Sequence, residues 1–149
     1  MLYNDTVTIF NRYVDSFGET MWYPHVLHNV RLIADKSTII NKYGPESNDN
    51  AILNVKFELK EKEIFIDNLI YLSPKEWEQQ TNDKLAKTIT FSPEGTNFDF
   101  FILGEYNEEP IFDEKGRFFS EMQKEYDYVF VITSVSKFDL IPHFEITGK

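Results

Sequence analysis

The run YDYVFVITSV at residues 126–135 has the clearest strand pattern in this chain. β-Branched and aromatic side chains fill it, and such residues favour a strand on a pleated, partly buried surface. The segment PHFEIT at residues 142–147 alternates polar and apolar side chains. We expect it to pair with the first run as a hairpin, and an antiparallel β protein is therefore the starting prediction.

Further strand patterns precede this hairpin in the sequence. Pro24 lies within one of them and cannot donate a ladder hydrogen bond, which predicts an edge, a bulge or a strand start there. The segment 37–43 is compatible with either a strand or a helical turn. The predicted strands are residues 6–13 and 21–33, which form a second hairpin, and residues 51–59, 88–91 and 98–103.

One or two short helices are predicted between the strands. Ser73, Pro74 and Glu76 form a capping box with proline at the first helical position, which predicts a helix from there to about Gln80. Residues 118–125 place apolar side chains at helical spacing. The sequence thus predicts a mainly β fold, an antiparallel barrel or sandwich of six to eight short strands with one or two short inserted helices, in a single domain spanning residues 1–149.

Composition excludes several classes of protein. The 149 residues include 15 basic and 25 acidic side chains, a formal net charge of −10, and 14 Phe, 8 Tyr and 2 Trp. Disordered acidic segments are poor in aromatic residues, so this aromatic content excludes a disordered acidic segment. The absence of cysteine excludes a disulfide scaffold and a thiolate zinc site. Affinity for DNA comes largely from cationic side chains, so the acidic balance predicts no tight DNA binding. Apolar runs fall short of the roughly 20 residues of a membrane helix, and no membrane association is predicted.

Few residues suggest a catalytic, metal-binding or phosphate-binding site. His25 and His28 lie three apart in a predicted strand, which places them on opposite faces and does not make a metal pair. Asp99 lies within an apolar run, where alternation predicts that it points outward; it is the one carboxylate singled out for a perturbed pKa. Phosphate-binding glycine loops and nucleophile elbows are absent. We predict no cofactor and no metal.

Both ends of the chain carry a recognisable pattern. The segments DTVTIFNRY at residues 5–13 and WYPHVLHNV at 22–30, with VITSV at 131–135 and PHFEITGK at 142–149, resemble the two ends of small tailed-phage and prophage neck proteins, the minor capsid or head–tail connector proteins of Firmicutes. The resemblance implies a non-catalytic β-barrel that forms a homo-oligomeric ring in the virion neck, as a head-closure or adaptor component. It implies a portal or adaptor partner, tail proteins, and DNA that passes through without specific binding.

Three turn-rich loops are long enough to reach a neighbouring subunit or a channel axis. They lie at residues 44–50, 92–97 and 105–116. A tail terminator or tail completion protein is the alternative within the same class. A small ligand-binding barrel or enzyme, with a pocket around Asp99, His28 or His143, is the alternative from another class. The candidate interface or channel residues in the loops are Gly44, Pro45, Glu46, Asn48, Glu94, Asn97, Glu108, Glu109 and Asp113.

Overall fold

The structure, a computed structural model, describes residues 2–34, 51–81, 83–95 and 97–149. The strands found there are β1 (Asp5–Val14), β2 (Thr20–Ala34), β3 (Ala51–Lys56), β4 (Glu58–Lys60), β5 (Glu63–Ile66), β6 (Leu69–Tyr71), β7 (Thr88–Ile89), β8 (Phe100–Leu103), β9 (Ile111–Phe112), β10 (Val129–Phe138) and β11 (His143–Gly148). The helices are α1 (Pro74–Glu78) and α2 (Phe118–Glu125), with a 3₁₀ turn at Leu85–Lys87. The segment at 37–43 and the loop at 44–50 lie outside the described residues.

Six strands close into a barrel. They follow the order β1-β8-β10-β11-β3-β2, and β2 pairs back with β1. Every neighbouring pair in this ring is antiparallel. Two short helices are inserted, and α1 begins at the predicted capping box, where the Ser73 side chain accepts a hydrogen bond from the backbone of Glu76. The predicted fold class, a mainly β antiparallel barrel with short inserted helices, is confirmed.

The long strand β2 belongs to two parts of the wall. Its first part pairs with β1, and its last residues, Arg31 to Ala34, pair with β3. The register against β1 shifts between Asp5 and Val7, and Asn29 lies opposite this shift with φ of 58°. A bulge of this kind bends a strand and increases its twist. The Asn29 bulge therefore turns β2 at a corner of the barrel.

A second, smaller sheet is inserted between β3 and β8. It has the order β4-β5-β6-β7, in which β6 and β7 run parallel. Its side chains Ile66 and Ile89, with Phe91 just after β7, belong to the same buried cluster as the barrel interior. The inserted sheet thus completes the core of the barrel rather than forming a separate unit.

The barrel wall is buried on both faces where β1 and β8 pair. Phe101 belongs to the interior cluster, whereas Phe100 and Ile102 pack outside against Phe118 and Met122 of α2. Phe10 of β1 stacks on Phe100 with the ring centroids 4.7 Å apart. Helix α2 therefore covers one outer face of the barrel, and much of the aromatic surplus of the sequence is core.

Candidate functional site

A groove of about 590 Å³ opens on the barrel wall beside the Asn29 bulge. We call it the β2 groove. Strand β2, the β5–β6 turn and the loop after β8 all contribute to its walls. Its polar lining consists of His25, His28, Asn29, Asp67, Asn68 and Glu108. Its other lining residues are Tyr23, Pro24, Val26, Leu69 and Ala86.

Two residues with left-handed backbone conformation shape this groove. Asn29 has φ of 58° and Asp67 has φ of 53°. Asparagine and aspartate are the residues other than glycine that adopt this conformation at least cost. The Asp67 carboxylate accepts a 3.4 Å hydrogen bond from the backbone N–H of His28. This contact holds the β5–β6 turn against the bulge of β2.

The two neighbouring histidines have opposite environments, as their spacing in a strand predicts. His28 is exposed; its Nδ1 lies 3.3 Å from the Thr6 hydroxyl and its Nε2 lies 3.7 Å from a carboxylate oxygen of Glu105. His25 is only 4% exposed, and its ring meets the Trp77 ring edge to face at 6.1 Å. The prediction of opposite faces is confirmed.

His25 has no hydrogen-bond partner for either ring nitrogen among the described residues. Burial disfavours the charged ring and lowers the pKa of His25 from 6.5 to about 4. The backbone of Leu85 acts in the opposite direction, more weakly, but lies outside hydrogen-bond geometry. The ring is consequently neutral at pH 7, with one lone pair and one N–H group unsatisfied.

The β2 groove is acidic. Asp67 and Glu108 are exposed carboxylates in its lining, and no lysine or arginine among the described residues lines it. Across residues 2–34, 51–81, 83–95 and 97–149, no group of three or more potential metal ligands comes together. The groove therefore offers carboxylates and imidazole to a ligand without a metal-binding arrangement.

The prediction that Asp99 points outward is wrong. Asp99 is 1% exposed, and its side chain is enclosed between β1 and the segment that follows β7. Its carboxylate accepts hydrogen bonds from the Asn11 side chain at 2.9 Å and from the backbone N–H groups of Arg12 at 2.9 Å and Ser92 at 2.8 Å. Burial still raises the pKa of Asp99 to about 7. It lies in a closed network and lines none of the grooves described here.

The predicted loop residues fall in several places. Glu108 borders the β2 groove, and Glu109 is exposed. Glu94 pairs with Lys149 at 3.1 Å. Asn97 accepts a hydrogen bond from the Arg12 guanidinium and donates one of 2.7 Å to Glu78. Gly44, Pro45, Glu46 and Asn48 lie outside the described residues.

Asp113 has an internal role that the sequence did not indicate. Its Oδ1 accepts hydrogen bonds from the backbone N–H groups of Arg117 at 3.0 Å and Phe118 at 3.2 Å, where α2 begins. Its Oδ2 accepts one of 3.0 Å from the indole N–H of Trp22. Asp113 thus joins the start of α2 to strand β2.

A family model described as "Family of unknown function (DUF6751)" matches residues 2–149. The chain belongs to the DUF6751 family. No curated protein and no solved structure matches it.

This member of the family also exposes large apolar side chains at the ends of two hairpins. Phe17, in the turn between β1 and β2, is 87% exposed. Leu140 and Ile141, between β10 and β11, are 98% and 73% exposed. His143 lies beside the second pair and stacks on Phe138 with the ring centroids 4.9 Å apart. We call these two surfaces the Phe17 tip and the Leu140 tip; periodicity did not reveal them because both lie in turns.

Of the three residues proposed to surround a pocket, only His28 lies in the β2 groove. His143 belongs to the Leu140 tip and Asp99 to the closed network. Among the described residues, no helix is long and apolar enough to cross a membrane.

Proposed function

We propose that this chain is a structural subunit of a homo-oligomeric ring in the neck of a tailed-phage virion, and that the Phe17 and Leu140 tips make its subunit contacts. The observation that carries the proposal is the exposure of large apolar side chains at both tips. Larger contiguous exposed apolar patches mark protein–protein contact sites, and the adjacent side chains of Leu140 and Ile141 expose apolar surface of this kind. A ring requires two different contact surfaces on each subunit, because its interfaces are head to tail.

Neither tip contributes to the buried clusters of the monomer. Phe17, Leu140 and Ile141 are absent from all three clusters of buried side chains and from the residues packed against them. The turn at the Phe17 tip is held by its own hydrogen bonds, with Asp15 accepting from the backbone N–H groups of Phe17 and Glu19. A preformed turn loses little conformational freedom on binding, which favours its use as a contact surface.

The charge of the chain favours a channel through which DNA passes over a surface that binds DNA tightly. Each copy contributes a formal charge of −10, and a ring multiplies that charge by its number of subunits. A basic lining would retain phosphates and slow DNA transit, whereas an acidic one does not. The exposed carboxylates Glu108 and Glu109 are candidates for such a lining.

The resemblance at the two ends of the chain supports the neck as the location. Within the neck, a head-closure or adaptor ring that joins the portal to tail proteins is our first assignment. A tail terminator or tail completion protein is the second. The proposal gives the chain no catalytic role.

Sedimentation velocity tests this proposal, with the chain alone and mixed with portal and tail proteins encoded beside its gene. We expect concentration-dependent oligomers in at least one of these conditions. The variants Phe17→Lys and Leu140→Lys should remain monomeric there with unchanged urea midpoints. Leu2→Lys is the matched control, since Leu2 is 77% exposed and lies outside both tips. A wild-type chain that stays monomeric in every condition, or tip variants that assemble normally, would contradict the proposal.

A further inference from the structure

We propose that the Phe17 tip of one copy of this chain inserts into an apolar groove beside the Leu140 tip of the next copy. The inference rests on the proposed ring and names its subunit contact. The groove has a volume of about 380 Å³, and we call it the Phe57 groove. Its apolar floor consists of Val30, Val55, Phe57, Phe65 and Ile66.

The Phe57 groove and the Leu140 tip form one continuous apolar surface. Ile141 is 73% exposed and, with Pro142, forms one wall of the groove. The backbone N–H of Phe57 donates a 3.3 Å hydrogen bond to the carbonyl of Pro142, which holds this wall beside the end of β3. Because the groove exists before binding, little rearrangement is needed for it to accept a side chain.

Phe17 is a suitable occupant because it is a single large apolar side chain at the end of a narrow turn. It is 87% exposed in the monomer, and burying an aromatic side chain removes roughly 150–250 Å² from water. Phe57 and Phe65 offer aromatic partners in the groove, and aromatic pairs are stabilised beyond their area burial. An apolar projection that enters a pocket elsewhere on an identical molecule makes a head-to-tail contact.

The charges of the two surfaces are complementary. The turn at residues 14–20 carries Asp15 and Glu19 and no basic side chain. Three lysines surround the groove in a chain that is acidic as a whole. Lys56 lines it, and the ammonium nitrogens of Lys60 and Lys137 each lie 5.8 Å from the ring centroid of a groove phenylalanine. An acidic turn is therefore attracted to this part of the surface.

Lys56 is the lysine available to a neighbouring copy. Lys60 and Lys137 have carboxylate partners at 3.1 and 3.2 Å, whereas Lys56 has none among the described residues. The two carboxylates in the groove lining also have partners: Glu58 pairs with Lys60, and Asp67 accepts a backbone hydrogen bond from β2. We therefore expect Lys56 to meet the acidic turn of the next copy.

The two surfaces lie on opposite sides of one subunit. In the closed order β1-β8-β10-β11-β3-β2, the β1–β2 hairpin is separated from the β10–β11 hairpin by β8 on one side and by β3 on the other. Phe17 lies at the end of the first hairpin, and the Phe57 groove lies beside the second. A subunit with complementary surfaces on opposite sides contacts one neighbour on each side, as a head-to-tail ring requires.

Cross-linking between two cysteine variants tests the pairing. The chain has no cysteine, so each variant has a single thiol. Ser16→Cys places it beside Phe17, and Glu58→Cys places it on the rim of the Phe57 groove; both positions are exposed. The two variants, one isotopically labelled, are mixed under the conditions in which wild type assembles and treated with a short bismaleimide. We expect a covalent product of one chain of each kind, detected by mass spectrometry.

Two controls accompany the cross-link. Adding Phe17→Lys to the Ser16→Cys chain should abolish the product. Replacing Glu58→Cys by Lys124→Cys, at an exposed position on α2, should also abolish it, because α2 lies outside the proposed contact.

Charge reversal provides a readout that leaves Phe17 unchanged. Glu19→Lys and Lys56→Glu should each weaken assembly about fivefold, because each places like charges across the contact. A chain that carries both changes restores opposite charges and should assemble as wild type does. Glu109→Lys, at an exposed carboxylate outside both surfaces, is the control. Sedimentation velocity over a dilution series measures the concentration of half-assembly.

The outcomes separate this inference from the ring proposal. The pairing is overturned, and the ring retained, if rings form in which Ser16→Cys cross-links to Lys124→Cys rather than to Glu58→Cys, or in which Glu58→Cys cross-links to a portal or tail protein. The pairing is also overturned if the double charge variant assembles no better than the single ones. A closed dimer with the expected cross-link would support the pairing and contradict the ring, and a chain that stays monomeric in every condition would contradict both.

Discussion

The side chain of Asn11 donates a 2.9 Å hydrogen bond to Asp99 inside the barrel, where both residues are almost fully excluded from solvent. The amide nitrogen of Asn11 also donates a 2.6 Å hydrogen bond to the backbone carbonyl of Thr90. The amide oxygen of Asn11 accepts a 3.3 Å hydrogen bond from the backbone N–H of Thr90. Three separate stretches of chain thus meet at these two side chains: β1, the segment after β7 and the residue just before β8. The network therefore ties together segments that are distant in the sequence.

Replacing Asn11 with alanine should lower the free energy of unfolding by about 3 kcal/mol, because it removes hydrogen bonds of the Asp99 carboxylate and the Thr90 backbone in a buried place. Urea denaturation measures the loss. Asn107→Ala is the control, since Asn107 is exposed and only accepts a local hydrogen bond from the backbone of Glu109. Equal midpoints for the two variants would show that the network contributes nothing to stability.

Asp99 and His25 have opposite effects on the pH dependence of stability. Burial raises the pKa of Asp99 from 3.8 to about 7, so the folded chain keeps a proton that the unfolded chain loses, and stability falls as pH rises from about 4 to about 7. Burial lowers the pKa of His25 from 6.5 to about 4, so stability falls as pH decreases from about 6.5 to about 4. At about 1.4 kcal/mol per pH unit, these effects are about 4 and about 3 kcal/mol and largely cancel.

The variant His25→Phe should expose this cancellation. The variant lacks the titrating ring and so does not lose this stability as pH falls. The free energy of unfolding of the variant minus that of wild type should therefore rise by about 3 kcal/mol as pH is lowered from 7 to 4. Urea denaturation at intervals of one pH unit measures the difference. His28→Gln, a change at the exposed neighbouring histidine, is the control for the loss of an imidazole outside the core. A curve for His25→Phe parallel to that of wild type would mean that burial does not hold this ring neutral.

Asp113→Ala should destabilise the chain, because it leaves the first N–H groups of α2 and the Trp22 indole without their acceptor. We expect a loss of about 2 kcal/mol and a fall in Tm of about 6 °C. Differential scanning calorimetry measures the shift, and Glu114→Ala, at the exposed neighbouring carboxylate, should change Tm by less than about 1 °C. An unchanged Tm for Asp113→Ala would return this residue to the set of interface candidates.

The sequence was sufficient to predict features that depend on local chemistry. The capping box at Ser73, the pairing of the last two barrel strands and the opposite placement of His25 and His28 all follow from turn, cap and alternation rules. These signals depend on residues close together in the chain, so the sequence contains them directly.

Features that depend on which helix or strand covers a given face of the barrel could not be predicted in this way. Asp99 would face solvent on an exposed strand, but α2 covers the outer face of β8 and the barrel encloses the inner one, so alternation gives no guide. The β2 groove is formed by a bulge at Asn29 and a turn at Asp67, which are separated by 38 residues in the sequence. The groove forms only where strand β2 and the β5–β6 turn lie side by side, and no local sequence pattern shows that they do.

Negative-stain electron microscopy of the chain, co-expressed with the portal and tail proteins encoded beside its gene, tests whether it forms a ring in the neck. We expect closed rings of this chain stacked on the portal or adaptor assembly, and we expect these rings to be lost when Phe17 and Leu140 are both replaced by lysine. Images in which the chain remains a monomer, even with these partners present, would contradict the proposal.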